Sequence, residues 1–170
     1  MKIITQGMVT SNDYAVAQRS RMSKILCCMM DSGVMDRTGK LMILDIFLAS
    51  VKTNHGCVDL VMHEGLLSWC QGLIIKQSNI DQAVVRKMVM IASSVWETAT
   101  RIDASKKQRE EGGDAEEDKR LLCPEVIPPL SSLLQSSKAY FSCKNDGEML
   151  SEVENINQNI KSYLLNHSTQ

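Results

Sequence analysis

The chain has 170 residues, 44% hydrophobic and 23% charged, enough for one or two folded domains that need neither disulfides nor metal to hold a core. Nineteen basic against twenty acidic residues give a net charge of -1, which disfavours nucleic-acid binding driven by overall charge and leaves only local basic faces as candidates. Aromatic residues make up 4% while methionines number 11, a composition that suits helices with Leu, Ile, Val and Met cores better than a β-sandwich.

Residues 1–10 hold no apolar core of a secretory signal, and residues 41–51, the most apolar run, are interrupted by Asp45 well short of a membrane span. An intracellular chain without membrane insertion is expected. A first helix is predicted from a cap at Ser11 or Asn12, with Met22, Ile25, Leu26 and Met29 as its buried stripe and Gly33 as its left-handed stop. Asp36 or Thr38 can cap a second helix, on which Leu41, Leu44, Phe47, Leu48 and Val51 share a face. Asn54, His55 and Gly56 are expected to break the chain before a short amphipathic turn over residues 58–62. After Gly65, the residues Leu66, Leu67, Trp69, Leu73 and Ile74 make a third layer.

Asn79 is the expected cap of the longest helix, with Val84, Met88, Ile91, Val95 and Ala99 or Ile102 on one face and an end near Ser105. Residues 103–120 mix acids and bases around Gly112-Gly113 without apolar periodicity, which predicts a mixed-charge disordered loop. Pro124 suits the first turn of the next helix, which Pro128-Pro129 should restart or kink before Leu130, Leu133 and Leu134. A last helix over residues 148–166, starting at Asp146, places Leu150, Val153, Ile156 or Asn157, Ile160, Tyr163 and Leu164 at helical spacing. No strand-like alternation exceeds four residues. The expected fold is all-α, an armadillo- or HEAT-like helical-repeat array, with a compact helical bundle as the alternative. Its expected organisation is a helical-repeat region over 1–102, the loop over 103–120, and C-terminal helices over 121–170 that pack on the same array.

No motif for catalysis or a cofactor stands out. Residues 33–40 imitate a phosphate-binding loop, but the glycines are one residue too far apart and Leu41 stands where a hydroxyl should bind magnesium. His63-Glu64 begins like a zinc-protease helix, yet Leu67 replaces the second histidine. His55, Cys57, His63 and Cys70 are ligand types for zinc at irregular spacing, and Cys57 or Cys123 could meet a histidine only by accident of folding. Cys27, Cys28, Cys57, Cys70, Cys123 and Cys143 contain no CxxC pair and read as small hydrophobes. The candidate surface for a partner or RNA is basic: Arg19, Arg21 and Lys24 on the first helix and Arg86 and Lys87 on the long one, with Lys40, Lys52 and Arg101 dispersed. Solvated helix faces carry the same residues. Trp69 is the candidate hydrophobic anchor, although a tryptophan among apolar neighbours is more often core.

Three segments carry a family resemblance: residues 22–26 through Ser32-Gly33, then Lys40-Leu41-Met42-Ile43-Leu44-Asp45, then residues 58–69 with Gly65-Leu66-Leu67-Ser68-Trp69. Together, over roughly residues 13–99, they resemble the C-terminal region of the nucleolar pre-ribosomal-associated protein 1 family. The resemblance implies a large helical-repeat scaffold of early large-subunit assembly and rRNA maturation, of which this chain would be a C-terminal piece. It implies no catalysis and no cofactor, a nucleolar location, pre-ribosomal assembly proteins as partners and pre-rRNA as a candidate partner. The alternative is a cytoplasmic helical-repeat adaptor for protein–protein interaction.

Overall fold

The computed structural model describes residues 21–77, 79–110 and 122–167, and among them the chain is helical without strands. Its helices are α1 (Met22–Asp31), α2 (Arg37–Val51), α3 (Asn54–Val58), α4 (Leu66–Lys76), α5 (Gln82–Glu110), α6 (Cys123–Lys144) and α7 (Gly147–His167), with a π-helical turn at Asp59–His63 between α3 and α4.

Local chemistry accounts for most of the boundaries. Gly33 and Gly65, both at φ 67°, supply the left-handed turns after α1 and before α4. The Asp36 carboxylate caps α2 by accepting from the Gly39 N–H at 2.8 Å. Thr53 caps α3 through the Gly56 N–H at 3.1 Å, so Asn54, His55 and Gly56 form a short helix where a break was expected. Asp81, and not Asn79, starts α5, its carboxylate taking the Ala83 N–H at 2.8 Å. Asn145 takes the left-handed conformation between α6 and α7, where the Asp146 N–H returns to the Phe141 carbonyl at 3.1 Å.

Three further expectations are corrected. On α1 the inward residues are Leu26 and Met30, whereas Ile25 and Met29 are 55% and 41% exposed. The helix therefore sits one residue further round than the sequence stripe suggested. α5 runs through Asp103 to Glu110, so the boundary placed at 103 falls inside a helix; residues 111–121 lie outside the described residues, as does the predicted cap at Ser11 or Asn12. α6 also continues through Pro128 and Pro129 without restarting. The carbonyls deprived of partners there belong to Pro124 and Glu125 in the first turn, where the loss of two helical bonds is least disruptive.

Cross-helix pairs fix the directions of packing. α2 and α5 run parallel: Arg37 meets Asp81 at 3.0 Å near their starts, Asp45 meets Lys87 at 2.7 Å midway, and Arg101 donates to the Lys52 carbonyl at 2.8 Å at the far end. α5 and α7 run parallel as well, joined by Arg86 to Asp146 at 2.7 Å and by the edge-to-face pair Trp96 and Tyr163 at 5.4 Å. The last turns of α4 and α6 lie side by side, and the turn entering α4 packs on α6. α2, α5 and α7 thus lie parallel and side by side in one layer, with α4 and α6 packed on each other in a second. An up-and-down bundle puts antiparallel helices face to face. The layered, parallel order is consistent with a helical-repeat array, and the compact packing with a helical bundle.

One continuous core fills the space between the layers. Ile43, Leu44, Val51, Val85, Met88, Ile91, Val95, Leu130, Leu133, Leu134 and Phe141 are buried in it, and α7 adds Val153, Ile156 and Ile160. α6 and α7 pack on α5, so the segments before and after residues 111–121 share this core.

Candidate interaction surface

The basic residues singled out from sequence sit on two helices, Lys24 on α1 and Arg86 and Lys87 on α5, with Arg21 just before α1. Arg19 lies outside the described residues. Arg21 is exposed at the start of α1 in the left-handed conformation at φ 52°, and Lys24 faces Glu64 at 3.8 Å. Arg86 and Lys87 are partly exposed and engaged in ion pairs between helices. The Arg86 guanidinium donates to Asp146 and lies 3.7 Å from Glu148, while Lys87 reaches Asp45 on α2. Adjacent in sequence, they bind α5 to helices on opposite sides.

Asp146 is the hub of one of these ties. It accepts from Gln82 Nε2 at 2.6 Å, from Arg86 at 2.7 Å and from the Met149 N–H at 3.3 Å. Burial alone would raise its carboxyl, but the donors from Gln82, Arg86 and Met149, with the guanidinium charge, hold it below the ordinary carboxylate range. Asp103 plays a comparable part at the other end of α5. Its two oxygens accept the N–H groups of Leu122 and Cys123 at 2.7 and 2.9 Å, capping α6 from a different helix. Sequence reading had grouped Asp103 with the mixed-charge stretch and had not paired any of these acids. Asp146, read as a helix start, was the one usable signal.

Trp69 is partly buried and packs edge-to-face on Phe47, centroids 5.9 Å apart. It closes a cavity of about 310 Å³ with Cys27, Phe47, Leu60, Leu66 and the rim pair Lys24 and Glu64. Its indole N–H is buried without a hydrogen-bond partner among the described residues. The residue therefore acts as a wall between α1, α2 and α4.

The thiols divide by environment. Cys57, Cys70 and Cys123 are buried, Cys27 is half-buried, and Cys28 and Cys143 are exposed, so the reading as small hydrophobes among apolar neighbours does not extend to these last two. Burial, followed by the negative field of Asp31, pushes the Cys27 thiol up to about 12. Burial pushes Cys57 up to about 12 against the opposing charge of Arg101. Burial, then the hydrogen bond with Asp103, pushes Cys123 up to about 12. Such thiols stay protonated at neutral pH and are poor nucleophiles. Among the described residues, no three His, Cys, Asp or Glu side chains come together as a metal set, so His55, Cys57, His63 and Cys70 are not assembled into one. Within α2, the amide that a phosphate would use at residues 33–40 is already taken by Asp36. No single helix among the described residues is long and apolar enough to cross a membrane.

No curated protein and no solved structure matches the chain. The segments between Met22 and Trp69 that fold into α1, α2, α3 and the start of α4 lie within a stretch that does have a match, which ends where the expected resemblance had continued to residue 99. Residues 1–69 match the family model for nucleolar pre-ribosomal-associated protein 1.

Proposed function

We propose that the chain is a non-catalytic scaffold of early large-subunit assembly in the nucleolus and corresponds to the C-terminal part of a larger helical-repeat protein of that family. The family-model match over residues 1–69 carries this reading. The architecture supports it, because stacked parallel helices present extended surfaces to partners while each layer braces the next. The ion pairs between helices also support it. Arg86, Lys87, Asp45 and Asp146 neutralise one another across helix boundaries, and the buried thiols are held protonated. Its partners are then pre-ribosomal assembly proteins, and pre-rRNA is the second candidate through the exposed bases Arg21 and Lys24.

Crosslinking and mass spectrometry of the tagged chain in cells, with and without ribonuclease, test this. Crosslinks to pre-ribosomal proteins that survive ribonuclease are expected. Crosslinks lost on ribonuclease treatment would replace protein docking by RNA contact, and crosslinks confined to cytoplasmic proteins would replace the nucleolar reading by a cytoplasmic adaptor.

A further inference from the structure

The cavity beside Trp69 lies where α1, α2, the π-helical turn and α4 meet. Cys27 comes from α1, Phe47 from α2, Leu60 from the π-helical turn, and Leu66 and Trp69 from α4. Its volume of about 310 Å³ is larger than a packing defect and falls at the small end of the range of ligand pockets. Two features set it apart from an ordinary void between helices. The chain has two tryptophans, three tyrosines and two phenylalanines, and Phe47 and Trp69 meet edge-to-face in this one wall. π-helical turns are rare and recur at functional sites, and this one places Leu60 in the wall and Glu64, directly after it, on the rim.

The site is chemically incomplete by itself. The Trp69 indole N–H has no acceptor among the described residues, and an enclosed donor is destabilising until something accepts from it. At the mouth, Lys24 faces Glu64 at 3.8 Å, and the charges that reach Cys27 are the negative ones of Asp31 and Glu64. With one lysine set against two acids, the mouth disfavours a phosphate and favours an uncharged group. The walls and the rim all lie within residues 1–69, so the cavity is built wholly from the stretch that matches the family model.

We propose that this cavity receives one uncharged aromatic side chain of a partner protein. The ring packs against Phe47 and Trp69 with the Cys27 sulfur beside it, and the backbone carbonyl next to that ring accepts from the indole N–H as the indole turns into the cavity. A single aromatic anchor in a desolvated pocket supplies much of the binding energy in many interfaces. A nucleobase suits the site less well. It brings a phosphate toward Asp31 and Glu64, and rings inclined at 71° offer no flat platform for stacking. The proposal rests on the scaffold reading and gives one of its partners a chemistry.

Nuclear magnetic resonance of the purified, nitrogen-15-labelled full chain tests it, with N-acetyl-phenylalanine amide as the probe and Trp96→Phe to assign the two indole signals. The Trp69 indole signal is expected to move saturably while that of Trp96 stays in place. N-acetyl-leucine amide should bind about threefold or more weakly, since it lacks the ring contacts. Ser23→Phe at the mouth and Cys27→Phe in the wall should each weaken the phenylalanine probe about tenfold or more. Melting curves accompany both variants, and if Cys27→Phe lowers the melting temperature, Ser23→Phe carries the same comparison. A Trp69 signal that does not move, leucine binding as tight as phenylalanine, or indifference to Ser23→Phe overturns the proposal. Tighter binding of cytidine monophosphate than of the phenylalanine probe also overturns it, in favour of RNA. Because the titration uses purified protein, a cavity that binds in a chain that does not co-sediment with pre-ribosomes removes the nucleolar reading alone, and an unresponsive cavity in a chain that does co-sediment removes this proposal alone.

Discussion

Asp103 caps a helix that begins twenty residues after it: its carboxylate accepts the backbone N–H groups of Leu122 and Cys123 while itself only 3% exposed. The start of α6 has no cap of its own, since the Leu122 side chain offers no oxygen. One buried acid on α5 therefore decides where α6 begins and seats it on the array.

Removing that cap leaves two buried donors unsatisfied. Asp103→Ala should lower the unfolding free energy by about 2–4 kcal/mol, from the lost cap and the desolvated N–H groups. Asp103→Asn retains one acceptor oxygen and should cost about half as much. Urea denaturation with circular dichroism measures both, and equal losses would show that the charge rather than the acceptor geometry holds α6.

Two glycines make opposite predictions. A Cβ at Gly56 would run into the Ser50 carbonyl oxygen and lie 2.8 Å from Thr53 Oγ1, so α3 must shift from α2 to accept it. Gly56→Ala should cost about 1–3 kcal/mol by overpacking. Gly72→Ala meets open space and should gain about 0.5–1 kcal/mol from helix propensity. Thermal melts of the two variants should therefore move in opposite directions.

The Asp146 site gives the array a defined response to acid. Its carboxyl is held below its unfolded value, so the stabilisation is complete above the unfolded pKa and is lost as pH falls through the lower folded value. Arg86→Ala removes a donor and the nearby positive charge, which brings the folded value upward. The acid-unfolding midpoint followed by circular dichroism should move to higher pH in this variant. An unchanged midpoint would mean that other carboxylates govern acid unfolding.

Thiol accessibility follows burial. Cys28 and Cys143 should react with a water-soluble disulfide reagent at once, Cys27 slowly, and Cys57, Cys70 and Cys123 only on unfolding. Mass spectrometry of the labelled chain identifies each position, and early modification of Cys57 or Cys123 would show that the core around them opens in the native state.

What the sequence made legible was periodic or local. Val84, Met88, Ile91 and Val95 recur at helical spacing and all lie in the core, and Asp36, Gly33 and Asp146 mark helix ends as their chemistry suggests. Errors arose where two periodic stripes competed or where a partner lay far along the chain. On α1, Ile25 and Met29 fit a helical face as well as Leu26 and Met30 do, and only packing chooses between them. The charged residues after Ile102 looked like a loop because nothing local shows that Asp103 has donors at Leu122 and Cys123. Arg86 and Lys87 looked like solvated bases for the same reason, their acids lying on α7 and α2.

The central claim is that this parallel two-layer array works as a scaffold on pre-ribosomes, and sedimentation tests it most directly. Nuclear extract containing the tagged full chain is separated on a sucrose gradient, with a ribonuclease-treated sample beside it. The account predicts co-migration with large-subunit precursor particles and recovery with their proteins. Migration as a free protein at the top of the gradient, in extract whose precursor particles remain intact, would contradict it.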